Sequence, residues 1–487
     1  MSTNASTVGN PARCQRGRAF ARKLAEALAR TSGMDLRSLA LFRVGLGLVV
    51  FIDLFQRLRH FKAFYHFEGI VPPGSASIGF LPVLDGFDAH ALSLPVLWAG
   101  LIAAALLILG RKARTMAALC WIVLAFLNSR NWMVLHLADR LVLLMLMWAV
   151  LLPIGRHWAL DARDRARREQ RIHFGVATVG LHLQVAVVYF TGALLKSRQP
   201  TWRDGSHLGN TIERIEYLSP VGMVLKDLTF LHTPTTWIVL YLQLFGALLL
   251  LTPWRFTHLR GVILGSLALL QLGMGTALNV GLFPWISIVG LIALVPPGVW
   301  GQAHSTKLRV TSAKSVPHRL GAYAQGSIGL LFITVMTLET LNDHLHLRSA
   351  SGFVGHLPGG SNFMQRWTMF TAPASHGGWF IVPAITSQGD TINLLRDGEP
   401  PSRNPPSDPW KDFRSHRWRI LIANSLRATQ IPENRERFLR YLMEDWNDKA
   451  EPRAKVKSLE LVEMRFPLQP TADPANAVPT TLASFPE

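Results

Sequence analysis

The chain has 487 residues, 49% of them hydrophobic and only 17% charged, with a formal net charge of +19 and a pI near 10.7. A soluble domain spreads its charge along the sequence; here charge is gathered into short blocks between long apolar runs, which places the basic excess in loops beside a membrane and argues against nucleic-acid binding. The two cysteines, Cys14 in a basic leader and Cys120 inside an apolar run, fall on opposite sides of an expected membrane boundary, excluding a disulfide framework and a cysteine-rich metal site.

Residues 1–35 are rich in arginine but lack the apolar core of a secretory signal, and read as a basic cytoplasmic leader, with a transit peptide as the alternative. Apolar segments near 38–57, 92–110, 115–128, 141–155, 174–196, 235–252, 260–277, 281–299 and 320–341 then predict about nine transmembrane helices. The third is short and the eighth ends at Pro296 and Pro297, which makes these two the weakest as spans. The basic blocks RKAR at 111–114, RHWALDARDRARREQR at 156–171, WRFTHLR at 254–260 and the 301–319 loop all fall on one side of such a bundle. With an odd number of spans, the N-terminus lies inside and the tail outside. The outer face then receives loops 58–91 and 197–234 and the residues after the last span. The expected organisation is a leader at 1–35, an all-α polytopic membrane bundle at 36–341, and a small α+β extracytoplasmic domain at 342–487. In the tail, GGWFIVPAI and VKSLELVEMRF read as strands, and 416–427 and 432–447 as helices, the second opened by Pro432 and carrying Glu433, Glu436 and Glu444 among arginines on a solvated face. Residues 397–409 form a proline-rich loop, and no internal repeat is visible.

The segment HLQVAVVYFTGALLK, residues 182–196, carries His182, Tyr189 and Lys196 seven residues apart on one helical stripe. Lys196 has two readings: it snorkels to the interface, or the following loop SRQPTWRDG excludes water and leaves a neutral amine available as a base. At 1.5 Å per residue His182 lies about 21 Å from Lys196, so the two cannot act on one bond. His182 reads as a packed core residue, since no second ligand stands at helical spacing beside it, and no metal site is assigned. Tyr189 reads as a buried tyrosine bonded to a neighbouring helix. In NSRNWMVLHLADR, residues 128–140, Asn131, His136 and Asp139 come close together. Either they cap two helices in a hydrated loop, or Asp139 holds His136 in one tautomer beside developing charge. Arg43 and Asp53, in the first span, are about 15 Å apart in rise and do not pair; Arg43 reaches carbonyls or inner headgroups and Asp53 the outer boundary. Gln271, Asn279 and Gln325 read as helix-to-helix hydrogen-bonding positions that together line a cavity.

Several of these residues recur in one order: LALFRVGLGL with Arg43, FYHFEGIVPP, NSRN followed by Asp139, LLPIGRHWALD with Trp158 and Asp161, YFTGALLK with Trp202 and Gly205, and GLFPW. Together they resemble the HTTM (horizontally transferred transmembrane domain) family over about residues 35–300, and QRWTMFTAP at 365–373 resembles an extension of its bacterial members. The best-understood relatives are the vitamin K-dependent gamma-glutamyl carboxylases. The resemblance implies a lysine base, at Lys196, that deprotonates a reduced quinone and so starts oxygenation and glutamate carboxylation, with His136 the nearest counterpart of an assisting histidine. Tyr189, Asp139, Trp202, Gly205 and Arg43 are the supporting positions it implies. The sequence departs from the carboxylases in its shorter tail, its unpaired cysteines, the lack of a region resembling their propeptide-binding surface, and one additional residue between Lys196 and Trp202. The expectation is therefore a bacterial inner-membrane protein with a quinone or a secreted peptide as partner besides lipid. The rival is a non-catalytic membrane factor assisting export or maturation of a secreted protein. A transporter is disfavoured, because charges cluster at span ends and the halves do not repeat.

Overall fold

Backbone in lipid has no hydrogen-bond partner but itself, so a long apolar run folds as a helix. Each of the nine apolar stretches coincides with one in the computed structural model, which describes Lys23 and residues 26–70, 89–162, 172–213, 218–253, 256–301, 319–345, 367–372, 376–406, 413–422, 433–468 and 476–486. The helices are α1 (Leu36–Arg59), α2 (Ala89–Leu109), α3 (Ala113–Arg130), α4 (Leu137–Leu151) and α5 (Val176–Ser197), then three short helices in the 197–234 connection, α6 (Pro200–Arg203), α7 (His207–Ile212) and α8 (Pro220–Asp227). After them come α9 (His232–Leu250), α10 (Thr257–Ala277), α11 (Phe283–Ala293) and α12 (Arg319–Leu345). Cys14, residues 71–88, 163–171 and 302–318, and Pro432 lie outside the described residues.

Five stretches are long and apolar enough to cross a membrane: Leu36–Arg59, Ala91–Leu109, Val176–Ser197, Thr229–Leu250 and Thr257–Ala277. The others fall short for physical reasons. α3 carries arginines near both ends, at Arg114 and Arg130, and α11 has 11 residues, about 16 Å of helix at 1.5 Å per residue. α4 has 15 residues and buries nearly its whole circumference, touching α1, α3, α5, α11 and α12, so it is the axis of the bundle rather than part of its lipid face. Gly180 of α5 lies against the Trp148 ring of α4, where a larger side chain would collide.

The tail is α+β, as its patterning predicts. An antiparallel sheet contains β1 (His376–Ile381), β2 (Pro383–Thr386), β3 (Thr391–Asn393), β4 (Val456–Pro467) and β5 (Val478–Phe485), with α13 (His416–Leu421) and the longer α14 (Glu433–Asn447) between β3 and β4 in the chain. β4 is the central strand: β1 and β2 pair along one edge and β5 along the other. The strands at β3 and β5 were not legible in the sequence pattern. α14 buries Phe438, Leu439 and Leu442 and leaves an exposed Glu436–Arg440 ion pair, the solvated face expected of it. The tail docks on the bundle through Trp418, 2% exposed, whose ring meets Phe64 of the bundle on one side and Phe438 of α14 on the other.

Candidate functional site

Lys196 stands in the last turn of α5, which delivers its side chain toward α9. It is 8% exposed. Its Nζ donates to Oε1 of Gln243 on α9 at 2.7 Å and sits 5.2 Å from the centre of the Trp202 ring. Among the described residues no carboxylate lies within ion-pairing distance of it. Gln199 precedes α6 and Pro200 opens it, turning the chain back so that Trp202 reaches the lysine; Gly205, at φ +86°, then turns the chain into α7 where a Cβ would lie 2.6 Å from Cγ2 of Thr233. His207 stacks on Trp202 with ring centres 4.4 Å apart and lies 3.0 Å from the Thr201 hydroxyl; burial above all pushes its imidazole down to about 4. Of the tail motif expected at 365–373, the described residues 367–372 reach the same place. Trp202 Nε1 donates to the Phe370 carbonyl at 3.0 Å, and Trp367, 3% exposed, packs beside Phe283 of α11.

Further down the α5 stripe the side chains have structural partners. The Tyr189 hydroxyl accepts from Gln271 Nε2 of α10 at 3.2 Å, and His182 Nε2 hydrogen-bonds the Leu250 carbonyl at 2.9 Å. Both match the packed-core reading. Arg43, 1% exposed, donates to the Trp158 carbonyl at 2.5 Å at the opposite end of the bundle. It holds a loop and stands apart from Lys196.

A second constellation lies where the tail meets α1, α3 and α4. Arg57 donates to Asp53 at 2.9 Å, Tyr65 at 2.7 Å, Asn128 at 2.9 Å and Asp139 at 2.8 Å. Arg417 enters from α13 and bonds both carboxylates, reaching Asp139 at 2.6 Å and the Val134 carbonyl at 2.9 Å. Burial opposes the charge on Arg417, but Asp139 and Asp53 more than offset it and hold the guanidinium above its ordinary range. Asp139 also accepts the His136 backbone N–H at 2.8 Å, and His136 Nδ1 lies 3.0 Å from its carboxylate. Asp139 thus caps α4 through the His136 backbone, as the first reading expects, in a setting more buried than a hydrated loop. Asn131, 0% exposed, instead donates to the Phe64 carbonyl at 3.0 Å.

His136 faces His416 of the tail, ring centres 4.8 Å apart, in the wall of a cavity of about 400 Å³. Arg59, His60, Asn279 and Arg414 also line it. Burial, then His136, Arg419 and Arg417, holds His416 well below the ordinary imidazole range, and burial with Arg414 and Arg59 pushes His60 down to about 4. Gly281 of the GLFPW segment makes room for His416: at φ +69°, its Cβ position lies 2.7 Å from His416 Nε2. The predicted pair Lys196 and His136 therefore occupies one end of the bundle, but in two environments that no described contact joins. Sequence reasoning missed Gln243, Arg57, Arg417 and His416. Gln243 alone left a signal, as the one amide side chain in LYLQLFGALLL.

A family model described as the HTTM domain matches residues 32–298, more than half of the chain. The chain belongs to the HTTM family. With its apolar helices, that makes it a multi-pass membrane protein. The HTTM match contains Lys196, Gln243, Trp202, His136 and Arg57, whereas Arg417, His416 and Phe370 come from beyond it. Neither the curated proteins nor the solved structures hold a match to the chain.

Proposed function

We propose that this HTTM protein is a membrane enzyme, resembling the gamma-glutamyl carboxylases, in which Lys196 takes a proton from a quinone-like or peptide substrate at the outer face of the membrane. In this reading the chain crosses the membrane nine times, with its N-terminus in the cytoplasm and its tail outside. The setting of Lys196 carries the proposal: 8% exposed, bonded to the neutral amide of Gln243 and lying against the Trp202 indole. A snorkelling lysine extends to water. A lysine enclosed among neutral partners is where an uncharged amine serves as a general base.

The residues present fit a planar ring in chemical kind. Trp202, stacked on His207, supplies an aromatic wall beside the amine, and a reduced quinone brings an acidic hydroxyl for Lys196 to deprotonate. His136 lines a separate cavity, where Arg59 and Arg414 suit an acidic peptide side chain.

The test uses the full chain in lipid vesicles with vitamin K hydroquinone, oxygen, labelled bicarbonate and a glutamate-containing peptide. Quinone epoxide formation that falls by about 100-fold or more in Lys196→Ala, the loss expected for a general base, supports the proposal. Equal turnover in that variant, or none in the wild type, overturns it. Secretion of a partner protein that survives Lys196→Ala would then favour the maturation-factor reading.

A further inference from the structure

The stretch from Ser219 to Leu231 takes no part in the proposed chemistry and is not built like an aqueous loop. Ser219 caps α8 by accepting from Gly222 N at 3.1 Å, and its own N–H bonds the Ala277 carbonyl at 3.0 Å, so the helix starts pinned to the end of α10. Gly222 faces that end so closely that a Cβ would strike the Ala277 carbonyl. One turn on, Lys226 pairs with Glu213 at 2.9 Å. The remaining face is apolar and bare: Val221 is 50% exposed and Val224 63%. The turn that follows, Thr229–Leu231, presents Phe230 at 73%, the most exposed large apolar side chain among the described residues. In water, such a face leaves apolar surface uncovered that burial in an apolar medium would favour.

Its continuity with the membrane face says what covers it. The turn runs without a break into α9, the spanning stretch Thr229–Leu250 includes it, and the His232 ring bonds back to the Leu225 carbonyl of α8 at 3.1 Å. Along α9 the bare surface continues through Ile238 and Tyr241. At the junction Trp237 donates Nε1 to the Arg203 carbonyl at 3.1 Å while its ring stays 41% exposed, the posture of an aromatic residue at a membrane boundary.

We propose that α8 and the turn after it lie in the plane of the membrane interface, with Val224 and Phe230 inserted into the bilayer and the Lys226–Glu213 pair at headgroup level. The occupant of this surface is lipid. α7 rests against both α8 and α9 and carries the His207 ring that stacks on Trp202, so the anchored helix braces the lysine site from its lipid side.

Variants Val224→Cys and Phe230→Cys, made in the full chain with Cys14→Ser and the buried Cys120 retained so that one cysteine is accessible, are labelled with bimane in phosphatidylcholine–phosphatidylglycerol vesicles. Asp204→Cys serves as the aqueous reference and Ile238→Cys as the bilayer reference. Iodide quenching several-fold weaker than at position 204, with stronger quenching by lipids brominated near the headgroup than by lipids brominated at the chain end, is the expected result. Iodide quenching equal to that at 204 overturns the proposal in favour of an aqueous loop. Protection from both iodide and brominated lipid also overturns it, because protein would then cover the face.

Discussion

Arg417→Met removes one of four charges from a cluster in which Arg57 and Arg417 face Asp53 and Asp139. All four side chains are at most 5% exposed, so the variant leaves one negative charge uncompensated in a largely buried setting. Breaking a buried pair costs about 3–5 kcal/mol. Here both carboxylates keep Arg57, at 2.9 and 2.8 Å, which sets the expectation at the low end, about 3 kcal/mol. At 1.4 kcal/mol per decade, the tail should come off the bundle roughly 100-fold more often. Trypsin nicking of the tail in the full-length, detergent-solubilised protein reads that opening, provided cleavage is slow relative to reclosing. Arg417→Met combined with Asp53→Asn restores the balance of one cation to one anion and should recover much of the loss, a non-additivity that a double-mutant cycle measures. Arg417→Lys keeps the charge without the planar fork and should fall between. Nicking of Arg417→Met within about threefold of wild type, or simple additivity with Asp53→Asn, would refute a charge lock between tail and bundle.

Three further outcomes are expected. His60 and His416 are held below the ordinary imidazole value of 6.5 in the folded protein, so their neutral forms are favoured there; the stability they contribute is full above about pH 6.5 and is lost progressively as pH falls below it. Tail opening should therefore rise between pH 7.5 and 5.5, by on the order of 1 kcal/mol after discounting His60 for solvent screening, and His60→Gln with His416→Gln should flatten that slope. Gly281→Ala forces a side chain onto a backbone at φ +69° with its Cβ 2.7 Å from His416 Nε2, and should raise tail opening by about tenfold or more. Gln243→Leu strands the Lys196 amine and should lower thermal stability by about 1–3 kcal/mol. Gln243→Glu should do the reverse and hold the amine protonated, so that under the proposed function epoxide formation falls while stability does not.

The sequence carried the bundle because lipid leaves the backbone one solution, and hydropathy reports where that solution applies. It could not say which helices meet lipid, since α4 and α11 are as apolar as the spans yet are sheltered by their neighbours. Lys196 and Trp202 were legible together because their separation is short and local. Arg57 was not: in FQRLRH it looks like any interfacial anchor, and only its four bonds distinguish it from Arg59 one turn face away. Arg417 is one of four basic residues in FRSHRWR, and its partner Asp53 is 364 positions distant. A pairing that remote leaves no periodicity in either segment.

The same pairing changes how the tail is to be understood. The HTTM match ends at residue 298, yet the carboxylates of Asp53 and Asp139 within it are balanced only when residue 417 is seated. Cut there, the bundle would keep two buried anions against the single cation Arg57. The Phe370 carbonyl that accepts from Trp202 would also be lost, so one deletion disturbs the His136 wall and the surroundings of Lys196 together. Deleting the tail is consequently expected to abolish activity whether Lys196 is a base or the tail itself binds a secreted partner, and it separates neither reading. Substitutions that leave Arg417, Trp418 and Phe370 in place, of which Lys196→Ala and Gln243→Glu are the plainest, act on the chemistry while the electrostatic seat stays closed.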